Sequence, residues 1–532
     1  MSIGIITSAA YINAEMSAEL GQLPPAFLPV GNARLFKFQA HLLGGLADRI
    51  FLSIPESFRV PDYDRRLLDT LGITTITIPD GLALTESLML AVIQSMECDE
   101  PVFVLHGDTL FLGLQEFAPD GVSVHQKEHA YPWGVVVAEC PFRIAPSGEA
   151  GGPNCPIISG LFSFSSSLAL LKSLARAGTD FLLALNHYAA ETRAFGAFCG
   201  AGEWLDFGHL NTYYESRRRL TTQREFNSLR IESDIVWKTS AQSWKMHAEA
   251  SWFEVLPVCF KPYVPAYLGR VEGEPGGYRL AYEYLCPLSD LYVFGALPAS
   301  TWRRVLSACA GLLAMFRNHK PPVIDSAWFE NLYDAKTQSR FAQFAFTHGF
   351  SPADEWRFNG SPMPSPSDMI SQMAALIGPA RGDEYGILHG DFCLSNILFD
   401  FRRSAVKLID PRGYILPDMP AIHGDTRYDL GKFHHSICGG YDFIIAGYFT
   451  LSRDGPRGLS FEVAEAQYQR EIERLFLEIV CKDDTRILQT AAAISVLLFL
   501  SMLTLHGDSP ERQWALFANA LRVYQRFFGQ TR

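Results

Sequence analysis

The residues best suited to chemistry lie in two short motifs in the second half of the chain. Residues 389–396 read HGDFCLSN, and residues 408–411 read LIDP. Phosphoryl transfer needs a carboxylate that orients the acceptor hydroxyl, and oxygen ligands that hold Mg²⁺ against the phosphates. Asp391, Asn396 and Asp410 offer these groups, and the apolar segments between them are typical of two strands. The pattern therefore favours phosphoryl transfer.

These motifs resemble the signature of the aminoglycoside phosphotransferase and choline kinase superfamily, HGDxxxxN followed by a strand and an aspartate. The resemblance implies a bilobal, protein-kinase-like α+β domain that transfers phosphate from ATP to a small hydroxylated molecule. By position, Asp391 is then the catalytic base, with His389 bracing its loop. Asn396 and Asp410 are the implied Mg²⁺ ligands. The competing interpretation is a chance occurrence of both motifs in loops.

Upstream residues extend the resemblance. Lys238 ends an apolar strand where this superfamily places its phosphate-binding lysine, and Glu249 on the next helix is its expected partner. Residues 278–285 are predicted to be a strand, in which Glu283 and Tyr284 resemble the hinge strand against which adenine stacks. A solvated lysine and a glutamate on a helix surface are the alternatives. Downstream, Asp429 is expected to brace the catalytic loop.

Two aspartates stand out in the first 220 residues. Asp108 follows the apolar strand 102–105, at the edge of an α/β sheet where ligands bind, and Asp206 lies in the segment 204–208 (WLDFG). Two such carboxylates can share one Mg²⁺ with a triphosphate. The motifs resemble the GD and WxDxG motifs of sugar-1-phosphate nucleotidyltransferases. The resemblance implies a mixed central sheet, and CTP, UTP or GTP as a second nucleotide substrate.

The first half also departs from that family. Its glycine-rich GxGTR loop is replaced by residues 8–11 (SAAY), and its PK pair by Pro24-Pro25. Residues 28–32 (LPVGN) resemble the start of the family's LPVxxKPL motif, but the lysine of that motif is replaced by Ala33. In-line attack on a phosphate without a cation loses charge stabilisation. The substitute expected is Arg34, Lys37 or an arginine from elsewhere in the chain; otherwise the domain binds a nucleotide or sugar without turnover.

The order of apolar and amphipathic segments predicts three regions. Residues 1–222 form the α/β nucleotidyltransferase-like domain, residues 223–295 a β-rich kinase-like lobe, and residues 296–532 a mostly helical lobe that carries the loop 389–396. The apolar segment 491–505 is too short to span a bilayer and is predicted to be a buried helix.

Composition narrows the classes of function. The chain has 532 residues, 48% of them hydrophobic and 19% charged, as in globular proteins. Its 45 Lys and Arg against 57 Asp and Glu give a net charge of −12, which argues against nucleic acid as a partner. Ten cysteines without CxxC pairs and an N-terminus without a basic region predict a cytoplasmic protein with free thiols and no membrane insertion. The apolar C-terminal helices are compatible with a core or with a homo-oligomer interface.

Together these features predict a bifunctional enzyme of bacterial capsule or other surface-polysaccharide biosynthesis. One domain would phosphorylate a sugar, polyol or amino alcohol, and the other would couple that phosphate to a nucleoside monophosphate. A second hypothesis keeps the kinase and makes the first domain a binding or scaffolding module. A third, a non-enzymatic protein built from two inactive folds, conflicts with the complete motif set at 389–411.

Overall fold

The computed structural model describes residues 1–126, 131–139, 141–147, 155–200, 202–220, 228–273, 275–321, 330–414, 419–464 and 467–529. Its contacts divide the chain into two compact units. The first comprises Met1–Thr221 and Phe294–Ala296, and the second comprises Thr222–Val293 and Leu297–Arg532. The domain boundary predicted at residue 222 lies outside the described residues, and the lobe boundary at residue 295 stays a prediction.

The first unit alternates strands and helices. Its strands are β1 (Ile3–Thr7), β2 (Pro29–Val30), β3 (Ala33–Arg34), β4 (Arg49–Pro55), β5 (Ile73–Ile78), β6 (Val102–His106), β7 (Thr109–Leu112), β8 (Gly121–His125), β9 (Gly134–Glu139), β10 (Phe142–Pro146), β11 (Ile157–Phe164), β12 (Gly196–Phe198) and β13 (Glu203–Asp206). Its helices are α1 (Ala14–Leu20), α2 (Leu35–Leu43), α3 (Asp62–Thr70), α4 (Leu84–Ser95), α5 (Ser167–Ala177), α6 (Phe181–Thr192) and α7 (Leu210–Arg219).

The main sheet of this unit is mixed, as the sequence predicts. Its strand order is β10-β9-β11-β6-β1-β4-β5, with β8 and β12 joined through β11. Strands β6, β1, β4 and β5 run parallel, whereas β11 runs antiparallel to β6. Helices α4, α5 and α6 pack on one face and α2 and α3 on the other. Because β1 is covered on both faces, it is a continuous apolar run.

The second unit begins with an antiparallel sheet and continues mainly as helices. Its strands are β14 (Ser228–Glu232), β15 (Ile235–Thr239), β16 (Tyr267–Val271), β17 (Gly277–Ala281), β18 (Trp356–Phe358), β19 (Ser361–Met363), β20 (Tyr385–Ile387), β21 (Ile397–Asp400), β22 (Ala405–Leu408), β23 (His423–Asp425), β24 (Phe449–Arg453) and β25 (Gly458–Val463). Its helices are α8 (Ser243–Val255), α9 (Leu288–Phe294), α10 (Ala299–Asn318), α11 (Ala335–Thr347), α12 (Pro366–Ile377), α13 (Arg427–Ile437), α14 (Tyr441–Ile445), α15 (Gln467–Ile479), α16 (Thr485–Met502) and α17 (Pro510–Phe528).

Three sheets of the second unit position its polar residues. Strands β14-β15-β17-β16 form the first sheet, and α8 packs against it. Strands β21 and β22 form a hairpin between Asn396 and Asp410. A further sheet, β19-β18-β25-β24, lies within the lobe 296–532 and is not expected from its mostly helical pattern. Its two hairpins, β18-β19 and β24-β25, lie about 100 residues apart in sequence, and their short strands leave little local periodicity to detect.

Helix α16 contains the long apolar segment of the C-terminal region. The helical stretch Thr485–His506 has 22 residues and a mean hydropathy of 2.0, so it is long and apolar enough to cross a membrane. The prediction that this segment is too short is therefore wrong. However, 72% of its apolar window is buried within the fold, where α16 packs against α11, α12, α13 and α17. A core helix accounts for this composition.

Candidate active sites

The loop 389–396 of the second unit holds Asp391 between two hydrogen-bond donors. Asn396 donates from Nδ2 to Asp391 Oδ2 at 2.8 Å, and Lys432 Nζ lies 2.8 Å from Asp391 Oδ1. A 3₁₀ turn over Leu394–Asn396 leads into β21, and the amide of Ile409 donates to the carbonyl of Asn396 at 3.0 Å. The loop end is thus tied to the segment that carries Asp410.

Asp429 anchors the start of the same loop. Its two carboxylate oxygens accept from the amides of His389 and Gly390, at 2.7 and 2.8 Å. Gly390 has a φ of +79°, which L side chains rarely adopt, and a Cβ there would lie 2.5 Å from Arg412 Cβ. Burial raises the pKa of Asp429 to about 7, against the opposing effect of the two amide donors. Asp429 therefore holds the loop's backbone in shape.

His389 is a positioning group and not an exposed acid or base. Its side chain is fully buried, and Nδ1 accepts from the amide of Asp391 at 3.3 Å. Burial lowers the pKa of His389 to about 4, so the ring is neutral near pH 7. The ring meets Trp252 edge-on, and the Trp252 indole donates to the carbonyl of Leu388 at 2.9 Å. These contacts fit the bracing role that the sequence predicts for His389.

A buried lysine lies between two carboxylates. Lys238 Nζ in β15 is 2.6 Å from Glu249 Oε2 in α8 and 3.1 Å from Asp410 Oδ1. Tyr278, opposite Lys238 in β17, donates to Glu249 at 2.9 Å. Burial alone would lower the pKa of Lys238, but Asp410 and Glu249 raise it above its ordinary value. The three charged residues that the sequence places in one site do come together.

Asp410 and Asn396 provide oxygen atoms of the kind that Mg²⁺ binds. Asp410 has a φ of 56°, a conformation that aspartate tolerates better than most residues, and its side chain is 40% exposed. Asn396 uses its Nδ2 for Asp391, which leaves its amide oxygen for a cation. The described residues contain no group of three or more His, Cys, Asp or Glu arranged to hold a metal. Mg²⁺ would therefore complete its octahedron with phosphate oxygens and water.

The predicted adenine-binding residues lie outside a strand. Strand β17 ends at Ala281, so the prediction that a strand continues to Leu285 is wrong. Glu283 forms a 3.1 Å ion pair with Lys407, and the Tyr284 hydroxyl donates to Asp234. Contact of Glu283 and Tyr284 with a nucleotide stays a prediction.

Sequence reasoning missed Lys432, although a signal was present. Lys432 follows Asp429 by one helical turn in α13, so both side chains lie on the face that meets the catalytic loop. Next to them, Ser436, His434 and His435 are fully or almost fully buried. The Ser436 hydroxyl accepts from the amide of Leu394 at 3.1 Å, which is a structural role.

The two aspartates of the first unit converge over Gly208. Asp206 in β13 pairs in register with Thr109 in β7, and the amide of Phe207 donates to the carbonyl of Asp108 at 2.8 Å. A Cβ placed on Gly208 would lie 2.6 Å from Asp108 Oδ2 and 3.2 Å from Asp206 Oδ1. Residues almost 100 positions apart thus form one carboxylate pair.

The carboxylate pair is electrostatically suited to a divalent cation. Burial and the negative charge of Asp206 raise the pKa of Asp108 to about 6. A cation between two such groups would relieve their repulsion and favour both ionised forms. His209 Nδ1 lies 3.4 Å from Asp206 Oδ2, and its ring stacks on Tyr131 with centroids 3.7 Å apart. Asp108 and Asp206 could therefore bind Mg²⁺ together with phosphate oxygens.

Arg34, one of the expected substitute cations of this unit, lies in a buried ion pair. Arg34 is 3% exposed, its Nη2 lies 2.9 Å from Asp64 Oδ2, and it donates to the carbonyl of Phe27. A buried ion pair thus already engages the charge of Arg34, and nucleotide binding by Arg34 stays a prediction. Lys37 is exposed on α2. Within the described residues, neither Asp108 nor Asp206 forms an ion pair with lysine or arginine.

Comparisons with known proteins give fold likenesses at low identity. A scan against models of protein families finds no match, and a search of curated proteins finds none either. Solved structures similar to the chain include a nucleoside-diphosphate-sugar pyrophosphorylase from Vibrio cholerae RC9. It is 13% identical and has a TM-score of 0.33, and the match covers 41% of this chain and 99% of that one.

Two further solved structures have similar scores. The inositol-1-phosphate CTP transferase from T. maritima is 17% identical, with a TM-score of 0.31 and coverage of 41% of this chain and 96% of that one. The UTP-bound UGPase from Acinetobacter baumannii is 13% identical, with a TM-score of 0.31 and coverage of 41% and 93%. The matches of this kind cover the N-terminal part of the chain. At these TM-scores they carry no weight for activity, which has to be argued from the sites.

Proposed function

We propose that the second unit transfers the γ-phosphoryl group of ATP to a hydroxyl of a small molecule. The observation that supports this proposal is a set of contacts among the polar residues: Asn396 donates to Asp391, and Lys238 pairs with both Glu249 and Asp410. Asp391 accepts the proton of the acceptor hydroxyl, whose oxygen forms the new bond to phosphorus. The bond between that phosphorus and the β–γ bridging oxygen breaks, and ADP leaves. Lys238 neutralises donor phosphates, and Asp410 with Asn396 would hold Mg²⁺ against them.

The test is ADP release with Mg²⁺, ATP and a panel of sugars, polyols and amino alcohols. We expect Asp391→Asn to remove acceptor-dependent ADP release, because the amide cannot take the hydroxyl proton. Asp383→Asn is the matched control, since Asp383 is an exposed carboxylate paired with Arg317. Equal, acceptor-dependent ADP release by both variants would refute the assignment.

For the first unit we propose nucleotidyl transfer to a phosphorylated compound, supported by the carboxylate pair Asp108–Asp206. In this reaction a phosphate oxygen of the acceptor attacks the α-phosphorus of CTP, UTP or GTP, and pyrophosphate leaves. The two reactions in sequence would yield an NDP-linked sugar, polyol or amino alcohol for capsule or other surface polysaccharide. The paired carboxylates would hold Mg²⁺ on the triphosphate.

A second candidate for the first unit is nucleotide or sugar binding without turnover. It is favoured by the buried ion pair of Arg34 and by the absence of a lysine at Pro24-Pro25. The two candidates differ in pyrophosphate release, measured with Mg²⁺, all four NTPs and the phosphorylated acceptor. Release that is lost in Asp108→Asn supports transfer. Nucleotide binding that is lost in Asp108→Asn, without any release by the wild type, supports the binding module.

A further inference from the structure

Cationic side chains gather on one side of the catalytic loop of the second unit. Asp391 presents its Oδ2 to Asn396 and its Oδ1 to Lys432. Lys336 and Arg340 lie one turn apart on α11, immediately after a π-helical turn at Glu330–Asp334. π-Helical turns within helices are found disproportionately at functional sites.

Arg412 connects this group to the loop. Its amide donates to the carbonyl of His389 at 2.8 Å, and its guanidinium lies over the rings of Tyr414 and Tyr428, 4.6 and 5.9 Å from their centroids. Arg412 Nε is buried and has no hydrogen-bond partner in the described part of the chain. Two aromatic rings therefore hold the guanidinium in place and leave its donors available for a ligand.

Lys336 lies close enough to Arg340, Arg412 and Lys432 for their charges to act on it. Burial, followed by the charges of Arg412, Arg340 and Lys432, lowers the pKa of Lys336 well below its ordinary value. Burial and Arg412 also lower the pKa of Arg340. Among the described residues, neither Lys336 nor Arg412 forms an ion pair with a carboxylate, and Arg340 donates only to the carbonyl of Ser501, at 3.2 Å. Asp391, which pairs with Lys432, thus faces several cations, and a ligand that supplies further negative charge would stabilise the group.

We propose that Lys336, Arg340, Arg412 and Lys432 form an anion-binding subsite for the acceptor, which carries a phosphate or carboxylate in addition to its hydroxyl. This inference rests on the proposed phosphotransferase function of the second unit. The substrate class is thereby narrowed from neutral sugars and amino alcohols to acids such as phosphorylated sugars, polyol phosphates or hydroxy acids. Two planar guanidinium groups and two ammonium groups suit either anion.

The arrangement around Asp391 places this anion on the acceptor and not on ATP. Lys238 and Glu249 accompany Asp410, and Asn396 contacts the Oδ2 atom of Asp391. Lys432 contacts the Oδ1 atom. An acceptor whose anion is held near Lys432 can present its hydroxyl to Asp391 while the donor phosphates lie beside Asp410. If the four cations instead bound the phosphates of ATP, Lys336→Met would weaken the binding of Mg²⁺-ATP.

The first test measures anion binding without turnover. Inorganic phosphate is titrated calorimetrically into the full chain, and we expect Arg412→Met and Lys336→Met to weaken its binding by about tenfold or more. Lys336→Arg retains the charge and should retain binding, and folding of every variant is checked by its melting transition. Arg486→Met is the matched control, because Arg486 is exposed at the start of α16. Equal phosphate affinity in the wild type, Lys336→Met and Arg412→Met would overturn the subsite.

The second test compares acceptors that share one carbon skeleton. ADP release is measured with glycerol, glycerate and glycerol 3-phosphate, and we expect kcat/KM to be at least about tenfold higher for an anionic member than for glycerol. Lys336→Met should remove this preference and leave the affinity for Mg²⁺-ATP unchanged. A preference for glycerol, or a comparable loss of Mg²⁺-ATP affinity, would overturn the inference. Phosphate binding at the cations without ADP release from any acceptor would instead refute the phosphotransferase function alone.

Discussion

At the scale of single residues, Asp391 depends on the groups that hold it. Lys432 is 15% exposed and contacts Asp391 Oδ1, so it fixes the carboxylate and places a positive charge beside the reacting atoms. Burial acts to lower the pKa of Lys432, but Asp391 and Tyr428 raise it above its ordinary value, and the side chain is charged near pH 7. In the proposed phosphotransferase, Lys432 would position Asp391 and also belong to the anion-binding subsite for the acceptor.

We predict that Lys432→Met lowers kcat by about 10²-fold, a typical loss for one preorganised donor. The KM for ATP should change little, because Lys238 and Asp410 remain. Steady-state kinetics with varied ATP, together with the pH profile of kcat, separates this effect from misfolding. Lys432→Arg should recover part of the rate. A rise in the KM for ATP at constant kcat would contradict a role at Asp391.

The paired carboxylates of the first unit predict a pH dependence. Because its pKa is raised to about 6, folded Asp108 keeps its proton between the ordinary aspartate pKa of 3.8 and about pH 6. The unfolded chain has already released this proton, so Asp108 contributes less stability as the pH rises through that window. Because a cation requires the ionised form, Mg²⁺ or Mn²⁺ should bind about tenfold more weakly near pH 5 than near pH 7.5. Calorimetry at both pH values measures this, and pH-independent cation binding that survives Asp206→Asn would contradict it.

At the scale of elements, strand pairing places Lys238 in its site. Gly277 faces Thr239 in the β15–β17 ladder, and a Cβ on Gly277 would lie 2.0 Å from the carbonyl oxygen of Lys238. We predict that Gly277→Ala lowers the free energy of unfolding by about 1–3 kcal/mol, since the strand must shift to fit the methyl group. The same shift should weaken Mg²⁺-ATP binding. Thermal melting and calorimetry give the two readouts.

Gly311 is the matched control for this substitution. It lies inside α10, and nothing lies within 4 Å of the position of its Cβ. Gly311→Ala should therefore raise the free energy of unfolding by about 0.5–1 kcal/mol and leave nucleotide binding unchanged. Loss of stability in Gly311→Ala, or none in Gly277→Ala, would contradict the packing described here.

Periodicity predicts the long elements of this chain well. From the sequence, residues 3–8, 49–54, 102–105 and 157–164 are predicted to be strands and residues 84–95 a helix. The elements β1, β4, β6, β11 and α4 match these bounds within one or two residues, because continuous apolar runs and regular helical patterns are local signals. The strand prediction for residues 282–285 is wrong, because aromatic and apolar side chains have high strand propensity whether or not a partner strand is present. The sheet β19-β18-β25-β24 joins segments about 100 residues apart, and this pairing leaves no local trace.

The candidate sites were predictable only in part. Asp391, Asn396 and Asp410 are close in sequence and follow a recognisable spacing. No motif in the sequence identifies Lys336 and Arg340, because their proximity to Asp391 depends on how α11 packs in the fold. The surroundings of Arg34 are hidden in the same way, because nothing in the sequence shows that it forms an ion pair with Asp64.

At the scale of the whole molecule, the two sites lie in separate compact units. Substitutions without shared partners have additive effects, so each site should tolerate loss of the other. We predict that Asp391→Asn leaves metal binding at Asp108 and Asp206 unchanged, and that Asp108→Asn leaves ADP release unchanged. Calorimetry and the ADP assay on the full-length variants check this, with Asp383→Asn as the common control. A large loss at the unaltered site would show that the two sites depend on each other.

The measurement that tests the central claim most directly is product mass after incubation with Mg²⁺ and ATP. The wild type and Asp391→Asn are given the same pool of neutral and anionic hydroxylated compounds. The account predicts that the wild type adds the mass of one phosphate to a pool member that already carries an anionic group, and that Asp391→Asn does not. An unchanged pool with the wild type, or the same phosphorylated product from Asp391→Asn, would contradict the account.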